Sequence, residues 1–387
     1  MKITKVTIYR IDYGASLNVR QGPITIRIDT DEGLYGAGEV GLAYGDAQGG
    51  GIGMVQTLAE RHLIGADPMR IEAMWDRLYR RSFWGQGGGP VVFGAISAID
   101  EALWDIKGKA LGVPVYELLG GRFRDELRCY ANGWNVDMSR PEQYAERCLE
   151  IVAEGWDALK FDPWERNTQG AFEFPRRHIP RDWAMLGVER VRAVHAAVGD
   201  DVDICLDIHG NLGITDAITY GRMLEETRPF FYEEPVDPFD FEGTTKVMEN
   251  VKIPIAGGER LYTRYQFRPF LERQAIDILQ PDVNLTGGIT ETFKIASMAD
   301  VWNLHLQPHN CGGPVATAAA VQLDFAIPNF IIQEMFPYWS DGRFDIVEET
   351  MESRIEGGRL AAPTAPGLGV LLNDDYLGRF PKIEITG

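Results

Sequence analysis

The chain has 387 residues, 45% apolar and 25% charged, with a formal charge of −19. That length exceeds one ordinary core, so two structural regions are expected in a globular protein. The acidic balance argues against nucleic acid and membrane surfaces as partners, and no apolar stretch is long enough to span a bilayer.

The first residues, Met1-Lys-Ile-Thr-Lys-Val-Thr-Ile-Tyr9, alternate like a strand and lack the apolar block of a signal peptide. Cys129, Cys148, Cys205 and Cys311 are scattered without a CxxC pair, the usage expected of reduced thiols in a cytoplasmic protein. Lys2–Asp12, Ile24–Ile28, the turn Asp31-Glu-Gly33 and the stretch into Glu39 predict an antiparallel meander. Gly41–Gly53 is glycine-rich and predicts a loop. Leu58–Leu78 and Val92–Leu111 carry helical apolar spacing, and Gly112-Val-Pro114 stops the second helix.

From Leu127 short strand candidates alternate with helical stretches such as Glu189–Ala197, Asp216–Glu226 and Gly287–Asp300. The strands end at Asn132, Lys160, Asp207, Glu233, Glu259, Gln280, Gln307 and Glu334, each a polar residue. Eight such units predict an α/β chain with a TIM-type barrel, whose chemistry belongs at the strands' C-terminal ends. The expected division is a capping region over residues 1–125, completed by about 360–387, and a barrel over 126–359. The stretch between Lys160 and Asp207 is much longer than the units that follow. Its surplus, residues 162–183, marks a functional or interface loop. Glycine-rich loops and apolar cap helices favour a homo-oligomer of undetermined order.

The spacing from Asp207 to Glu233 is repeated from Glu233 to Glu259, and each acid follows a short apolar run. In a strand–helix repeat this puts one carboxylate at the same end of three neighbouring strands. Converging anions repel unless a cation lies between them, and an all-oxygen set suits a hard divalent ion, Mg²⁺ with Mn²⁺ as a possible substitute. A metallohydrolase on the same barrel would be expected to use several histidine ligands. His209 lies two residues beyond Asp207, so strand alternation points both the same way. His309 ends the seventh strand candidate, and Asp282 ends the sixth beside it, where a carboxylate can orient an imidazole and raise its basicity. Asp282 could instead cap a helix, Glu334 could be a helix-start acid, and Lys160 could be a base, a charge clamp or a snorkelling residue.

These residues resemble the enolase superfamily, in its mandelate racemase subgroup, over essentially the whole chain. The motifs are Ala102-Leu-Trp-Asp-Ile-Lys-Gly-Lys-Ala-Leu-Gly112, Tyr232-Glu-Glu-Pro235, Gly258-Glu-Arg260, Gln280-Pro-Asp282, Thr286-Gly-Gly-Ile289 and Gly367-Leu-Gly369. The resemblance implies a modified (β/α)7β barrel under an α+β cap built from both chain ends. It implies Asp207, Glu233 and Glu259 as metal ligands, His309 and Asp282 as a catalytic dyad, and Glu334 as the acid bonded to the substrate carboxylate. Asp207-Ile-His209 is most similar to galactonate and gluconate dehydratases, where that histidine is the general acid. The implied reaction removes the proton alpha to a sugar acid's carboxylate, expels the beta hydroxyl and yields a 2-keto-3-deoxy acid. Lys160-Phe-Asp162 departs from the racemases' Lys-x-Lys, which counts against two-base racemisation. A cycloisomerase or epimerase using the same ene-diolate, and a non-catalytic metal-dependent binding protein, are the alternatives. Lys160, Arg260, Arg176 and His178 are the expected substrate contacts, and Leu17–Gly22, Gly41–Gly53 and the long loop are expected to touch the sugar-acid tail.

Overall fold

The computed structural model describes residues 1–11, 22–42, 47–339 and 342–387. Three strands near the start of the chain, β1 (Ile3–Arg10), β2 (Ile24–Thr30) and β3 (Tyr35–Val40), form an antiparallel meander. A strand from the other end of the chain, Lys382–Thr386, pairs antiparallel with β1 and completes a four-stranded sheet. Alternation buries Val6, Ile8, Ile24, Ile26 and Ile28 in one cluster with the apolar face of the helix Pro90–Leu111. Pro90 opens that helix, and Gly112 closes it in the left-handed conformation at φ 70°. The helix lies directly on β3. A Cβ at Gly36 would stand 1.9 Å from the Ala102 carbonyl oxygen, and one at Gly38 1.9 Å from that of Ala98. The Gly36-Ala-Gly38 pattern is therefore a docking groove for a helix.

Two expectations for this region need correction. The apolar spacing from Leu58 to Leu78 belongs to two helices, Gln48–Leu58 and Ile71–Arg81, parted by a π turn and an irregular stretch. Gly65 at φ 79° and Pro68 interrupt the backbone ladder there, whatever the apolar periodicity. The glycine-rich stretch Gly41–Gly53 is not all loop, because Gln48–Gly53 forms the first turns of a helix. Burial of Gly51, Ile52 and Val55 against the sheet overrides the poor helix propensity of glycine. Residues 12–21 and 43–46 lie outside the described residues, and with them most of the expected Leu17–Gly22 contact and part of Gly41–Gly53.

Eight parallel strands follow: β4 (Glu126–Ala131), β5 (Ala158–Phe161), β6 (Asp203–Asp207), β7 (Phe231–Glu233), β8 (Ile255–Gly257), β9 (Ile278–Leu279), β10 (His305–Leu306) and β11 (Gln333–Met335). β11 pairs with β4, and a parallel bridge from Leu306 to Phe330 joins β10 to the approach of β11, so the sheet closes on itself. One main helix lies in each of the seven gaps between consecutive strands, which is the (β/α)7β pattern. β12 (Arg359–Ala361) adds antiparallel to β4. Tyr130, Ala158, Cys205, Phe231, Ile278 and Ile332 form a buried cluster inside the ring. Each sits two residues before a polar strand end, so alternation turns that polar residue inward at the C-terminal mouth.

The antiparallel sheet and its helices close over that mouth. Trp75 Nε1 donates to the Gly287 carbonyl and Trp104 Nε1 to Thr290 Oγ1, both at 2.8 Å. Glu39 on β3 accepts from the backbone N–H of Gly313 at 2.5 Å and of Ala316 at 3.3 Å. The barrel partners in these contacts all follow the C-terminal ends of β9 and β10.

The long stretch after β5 is a pinned loop rather than a loose one. Trp164 is fully buried beneath the helix Arg181–Val198 and donates to the Ala184 carbonyl at 3.1 Å. The buried Arg190 guanidinium donates to the carbonyls of Ser139, Pro163 and Arg166. A Cβ at Gly187 would stand 2.0 Å from Trp164 Nε1. Gly187→Ala is therefore expected to cost about 1–3 kcal/mol through overpacking. Urea denaturation checks this, and unchanged stability would refute the tight Trp164 seat.

Candidate active site

The C-terminal ends of β6, β7 and β8 bring three acids together. Asp207 and Glu233 end adjacent strands and are register partners. Glu259 follows β8 after Gly258, which turns the chain at φ 132°. Asp207, Glu233 and Glu259 each offer an oxygen, and these ligand atoms lie within 4.8 Å of one another. Lys160 from β5 is buried among them. Its Nζ lies 3.0 Å from Asp207 Oδ2, 2.8 Å from Glu233 Oε2 and 3.0 Å from Glu334 Oε1.

One ammonium cannot balance these carboxylates. Burial, and next the Asp207 charge, push Glu233 up to about 8. Asp207 is held below the ordinary carboxylate range: burial opposes its charge, but His209 and Lys160 more than offset it. Lys160 Nζ lies against both oxygens of Glu233, 2.9 Å from Oε1 and 2.8 Å from Oε2. An all-carboxylate donor set with one ammonium at its centre fits a hard divalent ion.

An imidazole–carboxylate pair stands on either side of the trio. His309 Nδ1 lies 2.7 Å from Asp282 Oδ2, and its Nε2 is 3.4 Å from Glu259 Oε2. His209 Nδ1 lies 3.0 Å from Asp162 Oδ2, and its Nε2 is 3.5 Å from Asp207 Oδ2. The reason expected for His209 was strand alternation, and this needs correction. β6 stops at Asp207, and a left-handed turn, His209 at φ 53° and Gly210 at φ 69°, brings the ring back over the acid. A non-glycine residue in that region carries backbone strain, which fits a functional position. Burial lowers the His209 imidazole, but Asp207 and Asp162 outweigh it and raise it to about 10. The Phe174 ring from the long loop lies against it, with centroids 5.3 Å apart.

The expected substrate contacts take different places. Glu334 is fully buried, and protein donors already occupy it: Asn132 Nδ2 and Lys160 at Oε1, and the Asn310 N–H at Oε2. Burial opposes its charge, but Lys160 and then His309 keep it below its ordinary value. Lys160, 1% exposed, is a charge bridge with no free face. Arg260 reaches Glu234 Oε2 at 2.5 Å and Glu259 Oε1 at 3.4 Å, so it braces a ligand. Arg176 and His178 are exposed, and His178 Nδ1 pairs with Asp216 at 2.9 Å, at the first turn of a helix. The structure does not bring these two to the acid trio. Sequence reasoning had no role for Asp162, Asn132 and Asn310 in the site. The Lys160-Phe-Asp162 departure was the available signal for Asp162, since i and i+2 share a strand face.

Lys160→Met is expected to destabilise the metal-free protein by about 3–5 kcal/mol, because it strands buried carboxylates without a counter-charge. Added Mg²⁺ should restore part of the loss in urea denaturation. Stability equal to the parent without metal would refute the charge-bridge assignment.

Known proteins are similar to this chain over most of its length. Residues 14–120 match the Mandelate racemase / muconate lactonizing enzyme N-terminal domain, and residues 143–376 match the Enolase C-terminal domain-like family. A D-galactonate dehydratase of Ralstonia nicotianae is 39% identical over 378 residues, 97% of this chain and 93% of that protein. A D-gluconate dehydratase of Thermoproteus tenax is 36% identical over 321 residues, 83% of this chain and 62% of that protein. A crystal structure of an enolase superfamily member from Salmonella Typhimurium superposes with a TM-score of 0.93 at 41% identity, covering 100% of both chains. A mandelate racemase/muconate lactonizing enzyme from Sulfitobacter superposes at 0.88 and 33% identity, covering 98% of this chain and 96% of that one. With matching domains at both ends and relatives across nearly its full length, the chain belongs to the mandelate racemase / muconate lactonizing enzyme family of the enolase superfamily.

Proposed function

We propose that the protein is a Mg²⁺-dependent dehydratase of a sugar acid, an aldonate such as galactonate or gluconate. The observation that carries this reading is the pair of imidazoles, each held by its own carboxylate, on the two sides of one acid trio. Asp207, Glu233 and Glu259 would hold the ion, and Mg²⁺ suits oxygen-only ligands. A divalent cation bound there supplies a Lewis acid for the substrate carboxylate and cancels acid charge that otherwise keeps His309 protonated.

His309, oriented by Asp282, takes the proton alpha to the carboxylate and leaves an ene-diolate, the intermediate general to this superfamily. His209, paired through Nδ1 with Asp162, gives its proton to the beta hydroxyl as the carbon–oxygen bond breaks. Water departs, and the enol becomes a 2-keto-3-deoxy acid. Lys160 and Glu334 set the charge around the trio rather than exchange protons with substrate. An epimerase needs a second base, and Lys160, the lysine ending β5, is engaged by three carboxylates. Cytoplasmic work accords with four cysteines that form no disulfide among the described residues, three of them buried. No helix of the described residues is long and apolar enough to cross a membrane.

A panel of hexonic, pentonic and aldaric acids with Mg²⁺, assayed for 2-keto acid, tests the reading. The expected result is 2-keto-3-deoxy product from at least one aldonate, and its absence across the panel would overturn the reading. His309→Ala and His209→Ala should each lower turnover by ~10²–10⁴-fold. In D2O the His209 variant should still exchange the alpha proton while His309→Ala should not. Near-normal dehydration by either variant contradicts the assignments. The imidazolium fraction of His209 falls as pH rises through its pKa, so that group sets the alkaline limb of kcat. Asp162→Asn removes a charge that raises this pKa, and the limb should move to lower pH. A pH–rate profile with an unmoved limb would refute the Asp162–His209 pair.

A further inference from the structure

We infer that Glu165, on the long loop after β5, selects the substrate by its tail: it bonds a tail hydroxyl and excludes a second carboxylate. The inference rests on the dehydratase reading and says which sugar acids the site takes.

The order of atoms in the substrate sets the direction. The carboxylate lies at the acid trio, the alpha proton faces His309, and the beta hydroxyl faces His209. The carbons beyond the beta position must therefore leave past His209. A cavity of about 250 Å³ opens there, with Asp207, Asp162 and His209 on its lining. Its remaining lining includes Asn135, Val136, Glu165, Arg166 and Phe172.

Glu165 has hydrogen-bonding capacity to spare in this wall. Its Oε1 accepts from Asn135 Nδ2 at 2.7 Å, which fixes the carboxyl plane. Its backbone carbonyl accepts from the Glu173 N–H at 2.9 Å, which anchors the loop. No protein hydrogen bond to Oε2 occurs among the described residues. The Arg166 guanidinium is turned to the Gly170 carbonyl at 3.2 Å and to Asp137 Oδ1 at 2.9 Å, and its Nε is buried without a hydrogen-bond partner. Val136 and Phe172 supply apolar surface for the carbon chain. A hydroxyl entering here meets a waiting acceptor. A carboxylate entering here meets the acids Glu165 and Asp162; burial pushes Glu165 up to about 7, so above that pH it is charged and the pairing is repulsive. The chemical class that fits is a monocarboxylic polyhydroxy acid.

The test compares wild type, Glu165→Gln and Glu165→Ala with Mg²⁺ on three substrates: a full-length aldonate, its analogue lacking the tail hydroxyls, and the aldarate of the same configuration. Losing a hydrogen bond to a charged group corresponds to about 10–100-fold in kcat/KM. Glu165→Ala should show that loss on the aldonate, carried mainly by KM, with far less effect on the tail-deoxy analogue. Glu165→Gln, isosteric and able to donate, should narrow the preference for aldonate over aldarate about 10-fold. Thermal melts confirm that both variants are folded. If wild type dehydrates the aldonate and neither variant changes these ratios, the tail assignment is wrong. If wild type forms no 2-keto acid from any of the three, the dehydratase reading falls and takes this one with it.

Discussion

The need to keep several buried carboxylates together at one end of a barrel governs the rest of this molecule. Asp207, Glu233 and Glu334 converge around a single ammonium, Lys160, and Glu259 stands beside Asp207 and Glu233. Burial disfavours charge on Asp207, Glu233 and Glu334. The neighbourhood answers with positive partners: Lys160 at the centre, Arg260 against Glu234 and Glu259, and an imidazole near either edge. A divalent cation completes this balance in a way that no further side chain in the site does. Asp162, which holds His209 Nδ1, stands outside the acid trio and so serves the imidazole alone.

The two halves of the site repeat one device. A carboxylate from a neighbouring strand holds Nδ1 of each histidine and leaves Nε2 facing the acid trio. In His309 the holder ends the preceding unit, and in His209 it comes from the start of the long loop. The loop has a mechanical reason to be long and rigid. It must carry Asp162 at its root, lay Phe174 against His209 and still pack Trp164 beneath a helix. Arg190 fastens it through three carbonyls, so a stretch with little regular structure is as firmly positioned as a strand.

The cap contributes closure and placement. Its sheet draws on both ends of the chain, and two tryptophans and Glu39 seat it over the loops that follow β9 and β10. Those loops carry Asp282 and His309, so seating the cap also steadies the proposed base. The glycine pair in β3 serves the same end, because it lets the helix that carries Trp104 lie against the sheet.

Much of this was legible along the chain. The repeated acid spacing, the polar residue at each strand end and the apolar residue two positions before it follow from the period of a strand and of a βα unit. They determined the barrel, the trio and the Asp282–His309 pair, because each depends on regular repeats. The split of the Leu58–Leu78 helix and the helix inside a glycine-rich stretch were not legible, since a distant sheet decides which local propensity wins. The tertiary structure alone decided what Asp162, Lys160 and Glu334 contact. Each takes its role from a partner many residues away, and charge compensation in a buried site is set by distances between strands, which no spacing along one strand encodes.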